Sequence, residues 1–258
     1  MLREERLREI EDILKSNGMV EVAKLSRLFN VTEMTIRRDL DDLVQRKIAV
    51  RSHGGAMLPP DNVLSERSYE MRIMVNRKEK EAIAREALAL INEGDRVFFD
   101  SSTTVYCLAQ LISNTQNLLV VTDTLSTANE LISRSRVKVV CLGGELQKET
   151  GSCAGPFAEQ MIECMNFNTA FIGLPRISMN GVLSTSSISG LRIKQAAIQR
   201  SKKVVILIDS SKLGDPEFLE VGHLSEIDTV ITDSNIDPSF VTYCKSINVN
   251  VIIAKVNE

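Results

Sequence analysis

Along the first 56 residues, apolar positions recur at helical spacing. Leu7, Ile10 and Leu14 mark one face of a helix over residues 3–16, ended at "SNGM" with Gly18 in a C-terminal position. Val22, Leu25 and Leu28 mark a second helix from Glu21 to Phe29. A tight turn at Asn30-Val31 leads to a third, "VTEMTIRRDL" and onward, in which Ile36, Leu40, Leu43 and Val44 form the buried stripe. Glu33, Thr35, Arg37, Arg38, Asp41 and Gln45 stay mostly outside. Thr32 stands where its hydroxyl can cap the third helix, and Val31 and Ile36 occupy the two positions of a hydrophobic staple. In "KIAVRSHGGAM" Ile48 and Val50 alternate with polar residues and Gly54-Gly55 supplies a turn, which predicts a small β-hairpin. Three short helices, a tight turn before the third and a hairpin make the winged helix-turn-helix pattern, whose last helix enters a DNA major groove.

The pattern changes after "MLPPDNV", two prolines without periodicity. A helix is expected over residues 77–92, capped by Asn76 with Glu79 reaching back and ended at "NEGD" by Gly94. Beyond it, β-rich runs alternate with helical ones: "RVFF", "LLVV", "VKVVCL", "TAFIG", "KVVILI", "TVIT" and "NVIIA". Alternation of this kind predicts a mostly parallel sheet covered by helices, and runs such as "VVILI" are apolar throughout, as strands buried on both faces are. The expected organisation is a winged helix-turn-helix domain at 1–56, a linker at 57–75 and an α/β domain at 76–258.

Composition narrows the classes. The chain has 258 residues, 43% hydrophobic and 25% charged, an ordinary globular balance. No run approaches about 18 apolar residues, so no membrane span is expected. The charged start "MLREERLREIEDIL" lacks the apolar core of a signal peptide, which makes the expected location cytoplasmic. Cys107, Cys141, Cys153, Cys164 and Cys244 form no C-x-x-C pair and read as small buried hydrophobes, and His53 and His223 are the two histidines. Neither a metal site nor a cofactor is expected. The net charge of −3 excludes a chain that is basic all over, but residues 34–56 carry Arg37, Arg38, Arg46, Lys47 and Arg51 against Asp39, Asp41 and Asp42.

Candidate chemistry falls into two groups. Taken alone, Arg37 and Arg38 read as a solvated face paired with Asp41 and Asp42. With the capped third helix, the staple and the Gly-Gly wing around them, they read as facing DNA. In the α/β domain, Asp100-Ser101-Ser102-Thr103-Thr104, Thr122-Asp123-Thr124, Gly143-Gly144, Gly173 and Asp209-Ser210-Ser211-Lys212 each follow a strand. Ligands of open parallel sheets bind beyond those strand ends, and the Ser/Thr loop opens a helix whose free N–H groups suit a phosphate. Each loop by itself is an ordinary turn or cap. Lys194 and Lys212 by themselves read as surface lysines, and His223 reads as a loop or surface residue.

The string Thr32, Thr35, Ile36, Arg37, Arg38, Asp39, Leu40, with "RSHGGA" from Arg51 to Ala56, resembles the DeoR family of bacterial transcription regulators. The resemblance extends over nearly the whole chain, through Asp100, Thr103, Thr104, Thr122, Gly143, Gly144, Ala170, Phe171, Gly173, Lys194, Asp209, Ser211 and Lys212. It implies DNA contacts by Thr32, Thr35, Arg37, Arg38, Arg51 and His53, where an arginine fork suits phosphate or a guanine edge. It implies an effector domain similar to the ribose-5-phosphate isomerase fold, binding a phosphorylated sugar through Asp100, Ser102, Thr103, Thr104, Thr122, Asp123, Gly143, Gly144, Gly173, Lys194, Asp209 and Lys212. The chain departs from the family pattern with Ser102 for Gly, Asp123 for Asn, Asn168 for Asp and Gly190 for Glu. Asp123 brings negative charge to a phosphate site, and residues 168 and 190 lack carboxylates that would meet sugar hydroxyls. The expectation is a repressor of a carbohydrate-utilisation operon, with operator DNA and a phosphorylated sugar as partners and a dimeric or tetrameric state. The alternative is an isomerase-like enzyme acting on sugar phosphates, for which Arg37-Arg38 and a wing have no use.

Overall fold

The protein is described by a computed structural model covering residues 3–17, 19–46, 48–52, 54–57, 69–114, 117–148 and 150–256. It divides into two compact units, Met1–Arg67 and Ser68–Glu258.

The first unit runs α1 (Arg3–Asn17), β1 (Met19–Glu21), α2 (Val22–Phe29), α3 (Glu33–Gln45), β2 (Val50–Ser52) and β3 (Gly55–Met57). Leu7, Ile10 and Leu14 of α1 bury against Val22 and Leu25 of α2 and Ile36, Leu40 and Leu43 of α3. Each buried side chain of this size contributes about 1.5–3 kcal/mol. Leu28, expected in this core, is 63% exposed. It lies six residues after Val22, about 120° off the buried stripe, whereas Phe29 at seven residues returns to that stripe and packs on the core. Thr32 caps α3 as expected, its Oγ1 accepting from Thr35 N at 3.3 Å, and Val31 packs beside Ile36.

The wing is a three-stranded sheet in the order β1-β3-β2, one strand more than the sequence pattern indicated. Its phase also differs: Ala49 is buried and Val50 is 40% exposed. Gly55 is required here, because a Cβ at that position would fall 1.9 Å from the Val20 carbonyl oxygen. The Gly18 and His53 assignments and most of the expected linker lie outside the described residues.

The second unit begins with α4 (Tyr69–Met74) and α5 (Arg77–Leu88), so the end of the expected linker is helical. There follow β4 (Arg96–Phe99), α6 (Thr103–Leu111), β5 (Leu118–Thr122), α7 (Leu125–Leu131), β6 (Val137–Cys141), β7 (Glu145–Leu146), β8 (Cys153–Ala154) and α8 (Pro156–Glu163). Next come β9 (Phe167–Ile172), β10 (Arg176–Ile177), β11 (Val182–Thr185), α9 (Ile188–Gln199), β12 (Ser201–Leu207), β13 (Leu219–His223), β14 (Thr229–Asp233), α10 (Pro238–Ser246) and β15 (Asn250–Ala254).

The seven expected strands form one sheet in the order β15-β14-β12-β9-β4-β5-β6, with every neighbouring pair parallel. Alternate residues feed two apolar layers. Phe98, Ala170, Ile206 and Val230 face α8, α9 and α10, while Phe99, Phe171, Val205 and Ile231 face α5, α6 and α7. Burial on both faces is why these strands read as unbroken apolar runs. A small antiparallel sheet, β10-β11-β13, and the β7-β8 hairpin are additions. Cys107, Cys153 and Cys244 are buried as expected, Cys141 is half-buried and Cys164 is exposed, all with free thiols. Among the described residues no helix is long and apolar enough to cross a membrane.

Candidate functional site

On α3 the packing divides the "TIRRDL" string by role. Asp39 is buried and receives Arg6 Nε at 2.7 Å and Arg3 Nε at 3.3 Å, so it fastens α3 to α1. Ile36 and Leu40 fill the core beneath. That fixes Arg37 and Arg38 outward. Arg37 is 52% exposed on its side chain and reaches Glu33 only at 3.5 Å. Arg38 is exposed and makes no ion pair among the described residues. Arg51 is partly exposed and bonded within the domain. Its Nε donates to Asp41 at 2.9 Å and its Nη2 to the Arg37 carbonyl at 2.6 Å, which pins β2 of the wing to α3. Thr32 and Thr35 share a hydroxyl bond of 3.0 Å at the start of the helix.

In the second unit the sheet order reverses at β4: β5 and β6 extend to one side, β9 and β12 to the other. The crevice beyond the carboxyl ends of β4 and β9 is therefore the topological switch point. Asp100, directly after β4, is fully buried there. Its Oδ1 accepts from Ser102 N at 2.9 Å and its Oδ2 from Gly173 N, across the crevice, at 3.0 Å. Lys194 of α9 donates to the same carboxylate and to the Gly173 carbonyl at 2.9 Å. Lys194 is buried and engaged as a strut joining β4, β9 and α9. Gly173 has no room for a side chain, since a Cβ would meet Ser102 at 2.3 Å. Ser102 caps α6 through Val105 N at 3.1 Å, and Thr103 and Thr104 are buried in its first turn.

The neighbouring loops contribute unequally. Asp123, after β5, is buried, and its Oδ1 has no hydrogen-bond partner. Burial, and then the charge of Asp100, push its carboxyl up to about 7, against the opposing pull of Lys194. Thr122 turns inward, its hydroxyl accepting from Thr124 N at 3.3 Å. Gly143 and Gly144 lie beyond β6, at the sheet edge, and serve the β7-β8 hairpin: a Cβ on Gly144 would meet the Ala154 carbonyl at 2.4 Å. They stand two strands from Asp100, with β5 between. Asp209, after β12, is buried and caps the turn Ser210–Lys212, which holds Lys212 half-buried at the same edge. Asn168 is at the opposite end of its strand, accepting from Arg96 N at 3.0 Å. Its side chain therefore has no part in the site, contrary to expectation. Gly190 lies in the first turn of α9, its N–H held by Ser187 Oγ at 3.1 Å.

Three residues of the α4-α5 joint belong to this edge and were not anticipated. Asn76 does not cap α5; it has φ +52° and its amide donates to Asp209 Oδ1 at 2.8 Å and Ser211 Oγ at 3.1 Å. Lys80 is buried, and desolvation lowers its ammonium to about 8, with Asp209 opposing. Arg72 lies one turn before the joint, and its carbonyl accepts from Thr103 Oγ1 at 3.3 Å. The available signal was Lys80, a lysine in step with the apolar positions Ile83, Ala84 and Ala87. Among the described residues no group of three His, Cys, Asp or Glu side chains is arranged to hold a metal ion.

Comparison with known proteins fits this division. Residues 6–61 match the DeoR-like helix-turn-helix domain, and residues 75–234 match the DeoR C-terminal sensor domain. The HTH-type transcriptional repressor GlcR of Bacillus subtilis (strain 168) is 33% identical over 258 residues, covering 100% of this chain and 99% of that one. The glycerol-3-phosphate regulon repressor of Escherichia coli (strain K12) is 32% identical over 234 residues, covering 91% of this chain and 92% of that one. Among solved structures, ribose 5-phosphate isomerase A from Methanocaldococcus jannaschii aligns with a TM-score of 0.41 at 15% identity, over 54% of this chain and 55% of that one.

Proposed function

This chain belongs to the DeoR family of DNA-binding transcription regulators, and we propose that it represses a carbohydrate-utilisation operon and releases its operator when a phosphorylated sugar fills the switch-point crevice. The observation that carries the effector reading is the buried Asp100–Gly173–Lys194 cluster. It fixes the first turn of α6, with the Thr103 and Thr104 N–H groups, at the strand ends where an anion is favoured. The names of the relatives, repressors of sugar or glycerol-phosphate regulons, support the same class of ligand.

For DNA, the reading rests on Arg37 and Arg38 on the exposed face of α3, with Thr32 and Thr35 at its start; His53 is added by the family resemblance alone. Arg51 holds the wing in place through Nε and Nη2, which leaves Nη1 to meet a phosphate. Residues 1–56 are taken as the DNA-binding domain, 57–75 as the connection and 76–258 as the effector domain. Two such modules are needed to read two half-sites, so the working form is a homo-oligomer. A monomeric mass with and without DNA would contradict that.

The test is a thermal-shift screen of hexose phosphates, pentose phosphates and glycerol 3-phosphate, joined to operator binding. A ligand at a hundred times its Kd stabilises the native state by about 2.7 kcal/mol. Arg38→Ala is expected to keep that ligand response and to lose about 1–3 kcal/mol of operator binding. Unchanged operator affinity in both Arg37→Ala and Arg38→Ala would remove α3 as the reading helix.

A further inference from the structure

At the carboxyl end of β5 two separate stretches of chain lie in succession along the same side of one strand. β6 ends at Cys141, which pairs with Thr122, and Leu142 N donates to the Thr122 carbonyl at 2.8 Å. One residue further along, Cys153 N donates to the Asp123 carbonyl at 2.6 Å, and Thr124 bridges Ser152. The chain that enters β8 thus occupies the place that β6 has just left. Cys153 comes to lie next to Cys141, and the two thiols meet, the Cys141 S–H donating to the Cys153 sulfur. Cys153 is buried and Cys141 half-buried. No other thiol acts on Cys107 or Cys244.

Buried thiols are ordinarily small apolar fillers. The acidity of this pair fits that role as far as a first attack is concerned. Burial, then Cys153 and Asp123, push the Cys141 thiol up to about 11, and burial and Asp123 push Cys153 up as well. No cation is among the groups that act on either thiol, so both stay protonated near neutral pH and react slowly. The equilibrium runs the other way. A dithiol with no stabilised thiolate gains little on being reduced, so a bond once made between the two sulfurs is hard to break. The backbone requirement is already met, because both residues are tied to consecutive residues of one strand, and thiols in contact are joined by side-chain rotation.

We propose that Cys141 and Cys153 are a redox modification site, which a low-molecular-weight disulfide converts to an intramolecular disulfide stapling the end of β6 to β8 beside the Asp123 loop. Cys141, the more open thiol, gives its proton to solvent and attacks one sulfur of the small disulfide; the other sulfur leaves as a thiolate. Cys153 then loses its proton, and its sulfur displaces the second small thiolate from Cys141. Two protein thiols are oxidised, one small disulfide is reduced to two thiols, and the two protons end on those thiols. An excess of the small thiol reverses both steps. The inference is independent of the effector reading.

The test uses the full chain with Cys164→Ser, so that the exposed thiol cannot cross-link two copies. Folded protein is incubated with oxidised glutathione, unfolded in N-ethylmaleimide and mapped by mass spectrometry. The expected product has lost two hydrogens, carries two alkyl groups fewer than the reduced protein, and joins the peptides of Cys141 and Cys153. It should melt roughly 5 °C or more above the reduced form, since a closed loop restricts the unfolded chain. Cys153→Ser should stop at a glutathione adduct on Cys141, and Cys141→Ser should give no cross-link. If Cys153→Ser does not fold, the peptide map of the parent and the Cys141→Ser result still decide. Full alkylation of every thiol after long exposure to excess oxidised glutathione would overturn the site. So would a cross-link that joins other cysteines, or one that forms only when the oxidant is added in urea.

Discussion

Asp123 is the residue at which this chain departs most consequentially from the family pattern. Its carboxyl titrates at about 7 in the folded protein against an ordinary value of 3.8, because burial and Asp100 both disfavour the charge. A raised carboxyl pKa means that the folded state holds a proton that the unfolded state releases. Stability contributed below about pH 4 is therefore lost as pH climbs towards 7. At mildly acidic pH the protonated carboxyl can donate one hydrogen bond and accept another, as an asparagine amide does. Asp123→Asn is expected to flatten the pH dependence and to exceed wild type by about 1–3 kcal/mol at pH 8, since it removes a buried, incompletely bonded carboxylate. Urea unfolding at pH 5 and pH 8 reads this directly. Equal slopes with pH for the two proteins would mean that Asp123 stays ionised in the fold. Asp123 illustrates what sequence hides: the substitution was visible, but the orphaned oxygen and the nearness of Asp100 depend on packing between strands.

At the scale of elements, the Asp100–Lys194 pair ties the loop after β4 to α9 across a separation of 94 residues in sequence. Lys194→Met leaves Asp100 buried without its counter-charge and is expected to cost about 3–5 kcal/mol of stability. Asp100→Asn in the same chain should restore part of that loss. If Lys194→Met unfolds like wild type and only loses ligand affinity, the lysine is a ligand contact after all and not a strut. The elements themselves were unequally legible. The seven parallel strands announced themselves because burial on both faces leaves runs such as "VVILI" without polar interruption. The capped, stapled α3 was equally clear, since Thr32, Val31 and Ile36 act within one turn. The third wing strand, β1, was not, because Met19–Glu21 is held by pairing with β3 and by the space that Gly55 leaves, not by local pattern. Likewise α4 has six residues, too few to show a period, and its place depends on Thr103, Tyr106 and Lys80. Asn76 read as a cap and is instead a left-handed joint that hands its amide to Asp209, a partner 133 residues away.

Over the whole molecule, α3 and the crevice beyond β4 and β9 belong to separate compact units, so a ligand in the second unit would act on DNA only by binding the DNA-free and DNA-bound states with different affinity. The charge pattern assigns distinct tasks within the crevice. At one end of the edge Asp209, Lys212 and Arg72 act on the Lys80 ammonium, and at the other burial and Asp100 push the Asp123 carboxyl up to about 7. The most direct measurement follows operator release by fluorescence anisotropy as the sugar phosphate that stabilises wild type is titrated in. Wild type should leave the operator at concentrations near the ligand's Kd. Thr104→Val, which keeps the shape of the α6 first turn and removes a hydroxyl, should bind unliganded operator equally well and need roughly tenfold more ligand for release, the equivalent of about 1.4 kcal/mol. Release of wild type and Thr104→Val at the same concentration, or no release of wild type by any phosphate that binds it, would contradict an effector site at this crevice.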